Sequence, residues 1–369
     1  MSTASTTMRR PMLPALNGLR ALAAADILFF HFLNPAWFGP FTPLASNGYV
    51  GVNFFFILSG FILAYNYTDK HAQGKFSTRE FWRNRLVRLY PVYVLGLLIS
   101  LPILRLEWMY QTRAHFWQGL TLTPLMLQGI SPLLATFWNT PAWTLSCEVA
   151  FYLLFPWLLT LRWPESKRGL SLLLGALWIV ALILPTLYML LHPDGVGPIS
   201  RYSNQFWLRA VKLTPLPHVP AFLFGIVLSR LNDRVQLSDR ARFVMATASC
   251  AVILAILWQG DRLPFLLVHN GLLAPIFAVA ILGLVGRHPL TMLLGAAPLV
   301  FVGEASYCLY LIHFNLWQWI HTSGLLPALH LAQWDPWISY LLLQLAALAA
   351  YHWVERPGRG WMQRLLPEF

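Results

Sequence analysis

The sequence predicts an all-α protein that crosses a membrane about ten times, with both termini in the cytoplasm. The composition points to this class, because 57% of the 369 residues are hydrophobic, only 11% are charged and the mean hydropathy is +0.56. Soluble domains carry about a quarter charged residues. Apolar runs of roughly 20 residues, the length of a transmembrane helix, recur along the whole chain. Lys and Arg gather in particular loops between these runs.

The apolar runs predict the positions of about ten spans. Their approximate bounds are residues 16–34, 49–67, 90–104, 141–161, 170–191, 206–229, 243–259, 266–286, 298–320 and 337–354. One further apolar stretch, residues 116–135, is interrupted by Pro and Gly, so we expect a re-entrant or interfacial segment there. We expect one transmembrane domain, residues 12–357, with cytoplasmic tails at residues 1–11 and 358–369.

The basic loops predict the orientation of the spans. They occupy every second connection and are joined by Arg9 and Arg10 near the start of the chain; the loops are residues 70–88, 162–168, 230–242, 286–288 and 355–364. Cytoplasmic loops are enriched in Lys and Arg, so these loops are placed in the cytoplasm. The net charge of +12 is therefore interpreted as an orientation signal and not as nucleic-acid binding.

The first span carries three ionisable residues; Asp26 falls off the stripe of the other two, Arg20 and His31, which are eleven positions apart. On a helix they differ by about 20° in azimuth and about 16 Å in height, so they share one stripe. Ionisable residues inside a membrane mark functional sites by default. The alternative is that Arg20 reaches to the interface and His31 is an interior histidine with satisfied hydrogen bonds. The spacing alone leaves both interpretations open.

Further polar residues occur in three other places. Arg85 and Arg88 are three apart, share a helix face and form a fork suited to a phosphate, although they also fit a plain orientation signal. Glu148 follows a predicted helix start by about two turns. His313 lies in the ninth predicted span. We expect His31, Glu148 and His313 all to lie in the outer half of the membrane.

Six blocks of sequence resemble, in order, the signatures of the bacterial acyltransferase 3 family. They are LNGLRALAAADILFFHF, GVNFFFILSGFIL, FWRNRLVRLYPVY, AWTLSCEVAFYLLFPW, EASYCLYLIHF and YHWVERPGR. Members are integral membrane enzymes that O-acylate sugars of surface polysaccharides, peptidoglycan or secreted metabolites. Asn17 and Asn53 stand where this family usually has aspartate, and SCEV replaces its usual serine-valine-glutamate-glutamate run. The chain resembles the stand-alone form of the family, without a C-terminal soluble extension.

The resemblance implies a set of site residues. It implies catalytic roles for His31 and Glu148, and acyl-CoA binding by Arg20, Arg85 and Arg88. Residues with supporting or acceptor-binding roles would be Trp143, Ser146, Ser306, Tyr307 and His313; no metal is expected. His31 would take the proton of the sugar hydroxyl as a general base, and Glu148 would orient its imidazole.

The expected partners follow from this chemistry. Acyl-CoA, with acetyl-CoA as the family's commonest donor, would be a co-substrate and not a permanently bound cofactor. The acceptor would be a saccharide or a lipid-linked saccharide, the surroundings would be the lipids of a bacterial inner membrane, and no nucleic acid is expected. The main alternative is a transporter or flippase of an anionic lipid or sugar, which would also explain buried Arg, His and Glu. A non-catalytic membrane scaffold leaves them unexplained.

Overall fold

The computed structural model describes residues 10–197 and 199–366, and every regular element within these ranges is helical. The helices of eight or more residues are α1 (Pro14–His31), α2 (Val50–Ala72), α3 (Thr78–Ile99), α4 (Ile103–Tyr110), α5 (Arg113–Leu122), α6 (Trp143–Thr160), α7 (Lys167–Leu191), α8 (Phe206–Leu213), α9 (Val219–Arg234), α10 (Asp239–Trp258), α11 (Ala274–Gly283), α12 (Ala297–Glu304), α13 (Ser306–Thr322), α14 (Trp337–Ala350) and α15 (Arg356–Leu365). Shorter helices are Pro35–Phe38, Thr42–Ser46, Phe265–His269, Pro289–Leu294 and Leu325–Ala328. The all-α prediction is confirmed.

The described part of the chain contains six to nine candidate membrane spans. Six helical stretches are long and apolar enough to cross a membrane, and three bent helix pairs, α3 with α4, α8 with α9 and α12 with α13, raise the number to nine if each pair is one span. The first predicted span, residues 16–34, coincides with α1 but is not among them. The polar side chains of α1, Arg20 and His31 included, lower its hydropathy. The prediction of about ten spans is therefore confirmed only in part.

Two helix crossings are so close that only glycine fits. A Cβ atom on Gly60 of α2 would lie 2.0 Å from the carbonyl oxygen of Phe222 in α9, and one on Gly225 would lie 2.0 Å from that of Ile57. In the same way, a Cβ on Gly303 of α12 would lie 1.9 Å from the carbonyl oxygen of Asn17 in α1. Small residues let helix backbones approach in this way.

The segment expected to be re-entrant contains α5 and then an irregular stretch, residues 123–139, with one short turn at Gln128–Ile130. The turn is fastened to α6, because the amide of Gly129 donates to Ser146 Oγ at 2.9 Å and Gln128 Nε2 donates to the carbonyl of Ala142 at 3.1 Å. Gln128 is fully buried. The segment thus packs against the start of α6 and fixes the position of that helix.

Irregular helix geometry also shapes the last part of the chain. The axes of α12 and α13 differ by 57°, and this bend places Ser306 at the first position of α13. A π-helical turn, Tyr351–Glu355, joins α14 to α15. Such turns often occur at functional sites. Here the turn directs Glu355 into the interior, where its exposed fraction is 1%.

Candidate active site

The end of α1 meets the middle of α13 at a pair of imidazoles. His31 Nδ1 lies 2.9 Å from the carbonyl oxygen of Ile27 and 3.3 Å from His313 Nε2. His313 Nδ1 lies 2.8 Å from the carbonyl oxygen of Tyr310. A carbonyl oxygen only accepts, so we assign the proton to Nδ1 in both rings. His313 Nε2 then accepts from His31 Nδ1–H, and the lone pair of His31 Nε2 is left for another group.

Aromatic side chains surround the imidazole pair. The ring centroid of His31 lies 5.1 Å from that of Phe30 and 5.9 Å from that of Phe314. His313 is buried, whereas His31 is only half-buried. His31 is therefore the more accessible of the two rings, and the apolar surroundings strengthen hydrogen bonds at this point.

A second polar cluster, the arginine–glutamate cluster, consists of Arg20, Arg85, Arg88 and Glu148. The charges of the three arginines act on the Glu148 carboxyl group, and Glu148 Oε2 accepts a hydrogen bond from the hydroxyl of Tyr152 at 2.8 Å. All four members are half-buried. Guanidinium groups bind oxyanions in a bidentate manner, and three cations exceed the single carboxylate here.

Residues of α13 hold this cluster in place. Arg20 Nη2 donates to Ser306 Oγ at 3.2 Å, and the Ser306 hydroxyl donates to the carbonyl of Gly303 at 2.7 Å. The hydroxyl of Tyr307 donates to the carbonyl of Leu89 at 2.8 Å, next to Arg88 on α3. Ser306 and Tyr307 thus position α1 and α3, which carry the arginines.

The expected contact between Glu148 and His31 is not present. Within the described residues, the hydrogen-bond partner of Glu148 is Tyr152, and no carboxylate lies within hydrogen-bond distance of His31. The expectation placed Arg85 and Arg88 in a cytoplasmic loop, but α3 already begins at Thr78. Arg88 therefore lies about 15 Å along the helix axis from its start, deep enough for its charge to act on Glu148.

Trp143 and Ser146, at the start of α6, are also away from the imidazole pair. The ring of Trp143 lies against two other buried histidines, His218 at 5.4 Å and His269 at 6.1 Å between ring centroids. Ser146 accepts from the Gly129 amide and so has a structural contact. Neither residue contacts His31 among the interactions of the described chain.

Sequence reasoning missed Glu355 as a member of the site. Its carboxylate accepts from Cys308 Sγ at 3.0 Å and from the guanidinium of Arg359 one turn further on, and its charge acts on Arg20. The residue lies within the block YHWVERPGR, which carried part of the resemblance but gave no role to this glutamate. Tyr152 was missed as well, although its spacing of four from Glu148 is that of contacting residues on a helix. Among the described residues, no three His, Cys, Asp or Glu side chains group as metal ligands.

The fold and these two clusters define an integral membrane protein with an imidazole and several arginines in its interior. Residues 13–351 match the model of the acyltransferase 3 family, described as an acyltransferase domain, and the chain belongs to this family.

Individual relatives support the same family. The chain is 28% identical to "Acyltransferase MdmB" of Streptomyces mycarofaciens, over 84% of this chain and 80% of that protein. It is 26% identical to "O-acetyltransferase OatA" of Staphylococcus aureus over 94% of the chain, and to "Peptidoglycan O-acetyltransferase OatA" of Listeria monocytogenes over 96%. The chain spans 57% of the length of each OatA protein. No solved structure matches the chain.

Proposed function

We propose that this protein is an O-acyltransferase of the bacterial inner membrane that transfers an acyl group, acetyl in the first instance, from acyl-CoA to a hydroxyl of a surface or exported saccharide. The observation that carries the proposal is the hydrogen-bonded pair of His31 and His313, which leaves His31 Nε2 as a proton acceptor. Membership of the acyltransferase 3 family supports the reaction class. The names of the OatA relatives support acetyl as the group and a cell-wall polymer as the acceptor type.

The chemistry at His31 is general-base catalysis. An alcohol is a weak nucleophile at neutral pH, so His31 Nε2 takes the hydroxyl proton as the oxygen attacks the thioester carbon. The C–O bond forms, the C–S bond then breaks, and the coenzyme A thiolate takes the proton back from the imidazolium. His313 Nε2 accepts from His31 Nδ1–H throughout and stabilises the charged ring. His313 is thus given the orienting role that we expected of Glu148.

The arginine–glutamate cluster is assigned to the donor. Arg20, Arg85 and Arg88 attract the phosphates of acyl-CoA, while Glu148 offsets part of their mutual repulsion and keeps them together. Arg20 and His31 lie on one stripe of α1, about 16 Å apart along the helix axis. One helix therefore links the groups that bind the donor to the base that acts on the acceptor. Acyl-CoA is a co-substrate in this scheme, and no permanently bound cofactor is invoked.

Release of free coenzyme A tests the proposal directly. Purified protein supplied with labelled acetyl-CoA and an acceptor should release coenzyme A, and His31→Ala should lower the rate by about 10²-fold or more. The matched control is His321→Ala, because His321 is exposed and hydrogen-bonds with Asp335 and not with either ring of the imidazole pair. A transporter would leave the thioester intact, so unchanged acetyl-CoA would reject the proposal.

Transfer between the two faces of the membrane is a separate part of the proposal. The donor would reach the arginines from the cytoplasm and the acceptor would reach His31 from the other side, following the orientation that the basic loops predict. In sealed inside-out vesicles, acyl-CoA added outside should modify an acceptor trapped in the lumen. Modification restricted to acceptor on the same face as acyl-CoA would contradict this route, while leaving the acyltransferase activity itself intact.

A further inference from the structure

A cleft of about 960 Å³ lies at one end of the bundle, separate from the candidate active site. It is lined by the last turns of α2 and α9 and by the connection between α6 and α7. α2 begins near His31, because the ring of Tyr49 lies 5.4 Å from that of Phe30. Thr68, in the cleft, is therefore about 27 Å further along α2. The cleft has the volume of a small-molecule site, which is typically about 300 to 1,000 Å³.

Two acidic residues of the cleft, Asp69 and Asp233, form ion pairs with Arg10. Arg10 Nε lies 2.6 Å from Asp69 Oδ2, and Arg10 Nη1 lies 2.9 Å from Asp233 Oδ1. One arginine thus bridges the ends of α2 and α9 and neutralises part of the charge of the two carboxylates, which line the cleft. Both acids would otherwise repel an anion in the cleft.

The other three arginines of the cleft, Arg162, Arg230 and Arg234, are not held in this way. No carboxylate of the described chain lies within ion-pair distance of any of them. Among the described residues that line the cleft, the remaining acid is Glu165, which is exposed. The cleft therefore carries an excess of positive charge with guanidinium groups free to bind.

Two buried polar atoms in the cleft also have no hydrogen-bond partner within the described chain, namely Thr68 Oγ1 and Arg230 Nε. Buried polar atoms are satisfied in most proteins, so this pair beside an open volume is available to a water molecule or to the polar group of a ligand. Next to them, the guanidinium of Arg230 lies over the ring of Trp163, 5.2 Å from its centroid. The ring is itself fixed by a hydrogen bond from Trp163 Nε1 to the carbonyl of Leu158 at 3.0 Å.

We propose that this cleft binds a phosphate-bearing ligand, with Arg162, Arg230 and Arg234 on the phosphate and Thr68 as a further hydrogen-bond donor. Bidentate guanidinium groups suit a phosphate better than a lysine would. Two molecules in the surroundings of this protein carry such a group beside an organic body, namely a nucleotide such as that of acyl-CoA and an anionic phospholipid. The proposal does not depend on the acyltransferase reaction, since it concerns binding alone.

Equilibrium binding to the purified full-length protein in detergent tests the cleft. The anionic probes are adenosine 3′,5′-bisphosphate and dihexanoyl phosphatidylglycerol, and adenosine and dihexanoyl phosphatidylcholine serve as the corresponding probes without net charge. The variant is the double substitution Arg162→Ala, Arg234→Ala, which removes the two exposed guanidinium groups of the cleft. The matched control is Arg240→Ala, since Arg240 is exposed in the first turn of α10 and does not line the cleft.

The expected result is saturable binding of at least one anionic probe, with a Kd that rises about tenfold or more in the double variant and stays unchanged in the control. Binding of the bisphosphate identifies a nucleotide site, and binding of phosphatidylglycerol identifies a lipid site. The proposal is overturned if neither anionic probe binds saturably, or if the double variant binds as tightly as the wild type. Because coenzyme A release is measured separately, loss of this site and failure of the proposed reaction are distinguishable.

Discussion

His31 Nδ1 lies 3.3 Å from His313 Nε2, so the imidazole at the end of α1 is oriented by a second imidazole and by a backbone carbonyl. The Nδ1–H of His31 donates to His313 Nε2 and to the carbonyl oxygen of Ile27, and the Nδ1–H of His313 donates to the carbonyl oxygen of Tyr310. In a serine-protease triad, a carboxylate has this orienting position and stabilises the imidazolium by its charge. A neutral imidazole gives a weaker electrostatic effect, so the carbonyl of Ile27 has a larger share in holding the tautomer.

The first prediction concerns His313. His313→Ala should lower kcat for acyl transfer, but by less than His31→Ala, because Ile27 still accepts from His31 Nδ1–H and keeps the reactive Nε2 unprotonated. The KM for acyl-CoA should stay close to that of the wild type, since the arginines are untouched. Steady-state kinetics of coenzyme A release on the two variants provides the measurement. Equal losses of kcat in both variants would show that His313 also reacts with substrate, contrary to its buried position.

The second prediction separates the two possible roles of Glu148. Because the charges of Arg20, Arg85 and Arg88 act on its carboxyl group, Glu148→Gln should change the KM for acyl-CoA and leave the pH dependence of kcat unchanged. The exposed Glu80, in the first turn of α3, offers the matched control Glu80→Gln. A shifted pH profile of kcat with an unchanged KM would instead assign Glu148 to His31, as the sequence suggested.

Arg88 and Glu148 show which parts of the fold and of the site can be predicted from the sequence. Hydropathy predicted helices and spans, because the membrane imposes a length and a composition that can be counted along the chain. The depth of a residue in the membrane follows less directly from the sequence, because the charge pattern extends the second basic loop to residue 88, whereas α3 begins at Thr78. Ten residues of helix amount to about 15 Å, which is enough to bring the charge of Arg88 from the surface to where it acts on the half-buried Glu148 carboxyl group.

The contact between His31 and His313 could not be predicted from the sequence either. The sequence placed His31 and His313 at one level of the membrane, but their contact depends on the close packing of α1 with α12 at Gly303 and on the bend between α12 and α13. Nothing in the local pattern of residues around Ala305, where the bend occurs, distinguishes this break from a continuous helix. The buried position of Glu355 could not be predicted for a similar reason, because it depends on a π-helical turn that directs the side chain inward.

The third prediction concerns stability at the crossing of α2 and α9. Gly60→Ala places a methyl carbon 2.0 Å from the Phe222 carbonyl oxygen, far inside van der Waals contact, so the two helices must separate. We expect a loss of about 1 to 3 kcal/mol, the usual cost of overpacking, or more if the crossing cannot adjust. Thermal unfolding of the purified protein measures it. In Gly175→Ala the new methyl meets no atom within 4 Å, and alanine favours helix, so the Tm of this control should not fall. Equal Tm values for Gly60→Ala and wild type would contradict so close a crossing of the two helices.

The fourth prediction decides whether Arg85 and Arg88 bind the donor or only orient the protein. If they hold phosphate, Arg88→Ala and Arg85→Ala should raise the KM for acyl-CoA, since a contact kept from ground state to transition state affects KM and not kcat. Lysine should restore the KM only in part, because the planar fork is lost while the charge remains. An orientation signal depends on charge alone, so lysine would restore it fully. Arg79 is exposed in the first turn of α3, and Arg79→Ala removes one basic charge from the same region without touching Glu148. Donor binding by Arg85 and Arg88 requires a raised KM in their alanine variants and a wild-type KM in Arg79→Ala. A wild-type KM in all three variants would show that Arg85 and Arg88 do not bind the donor.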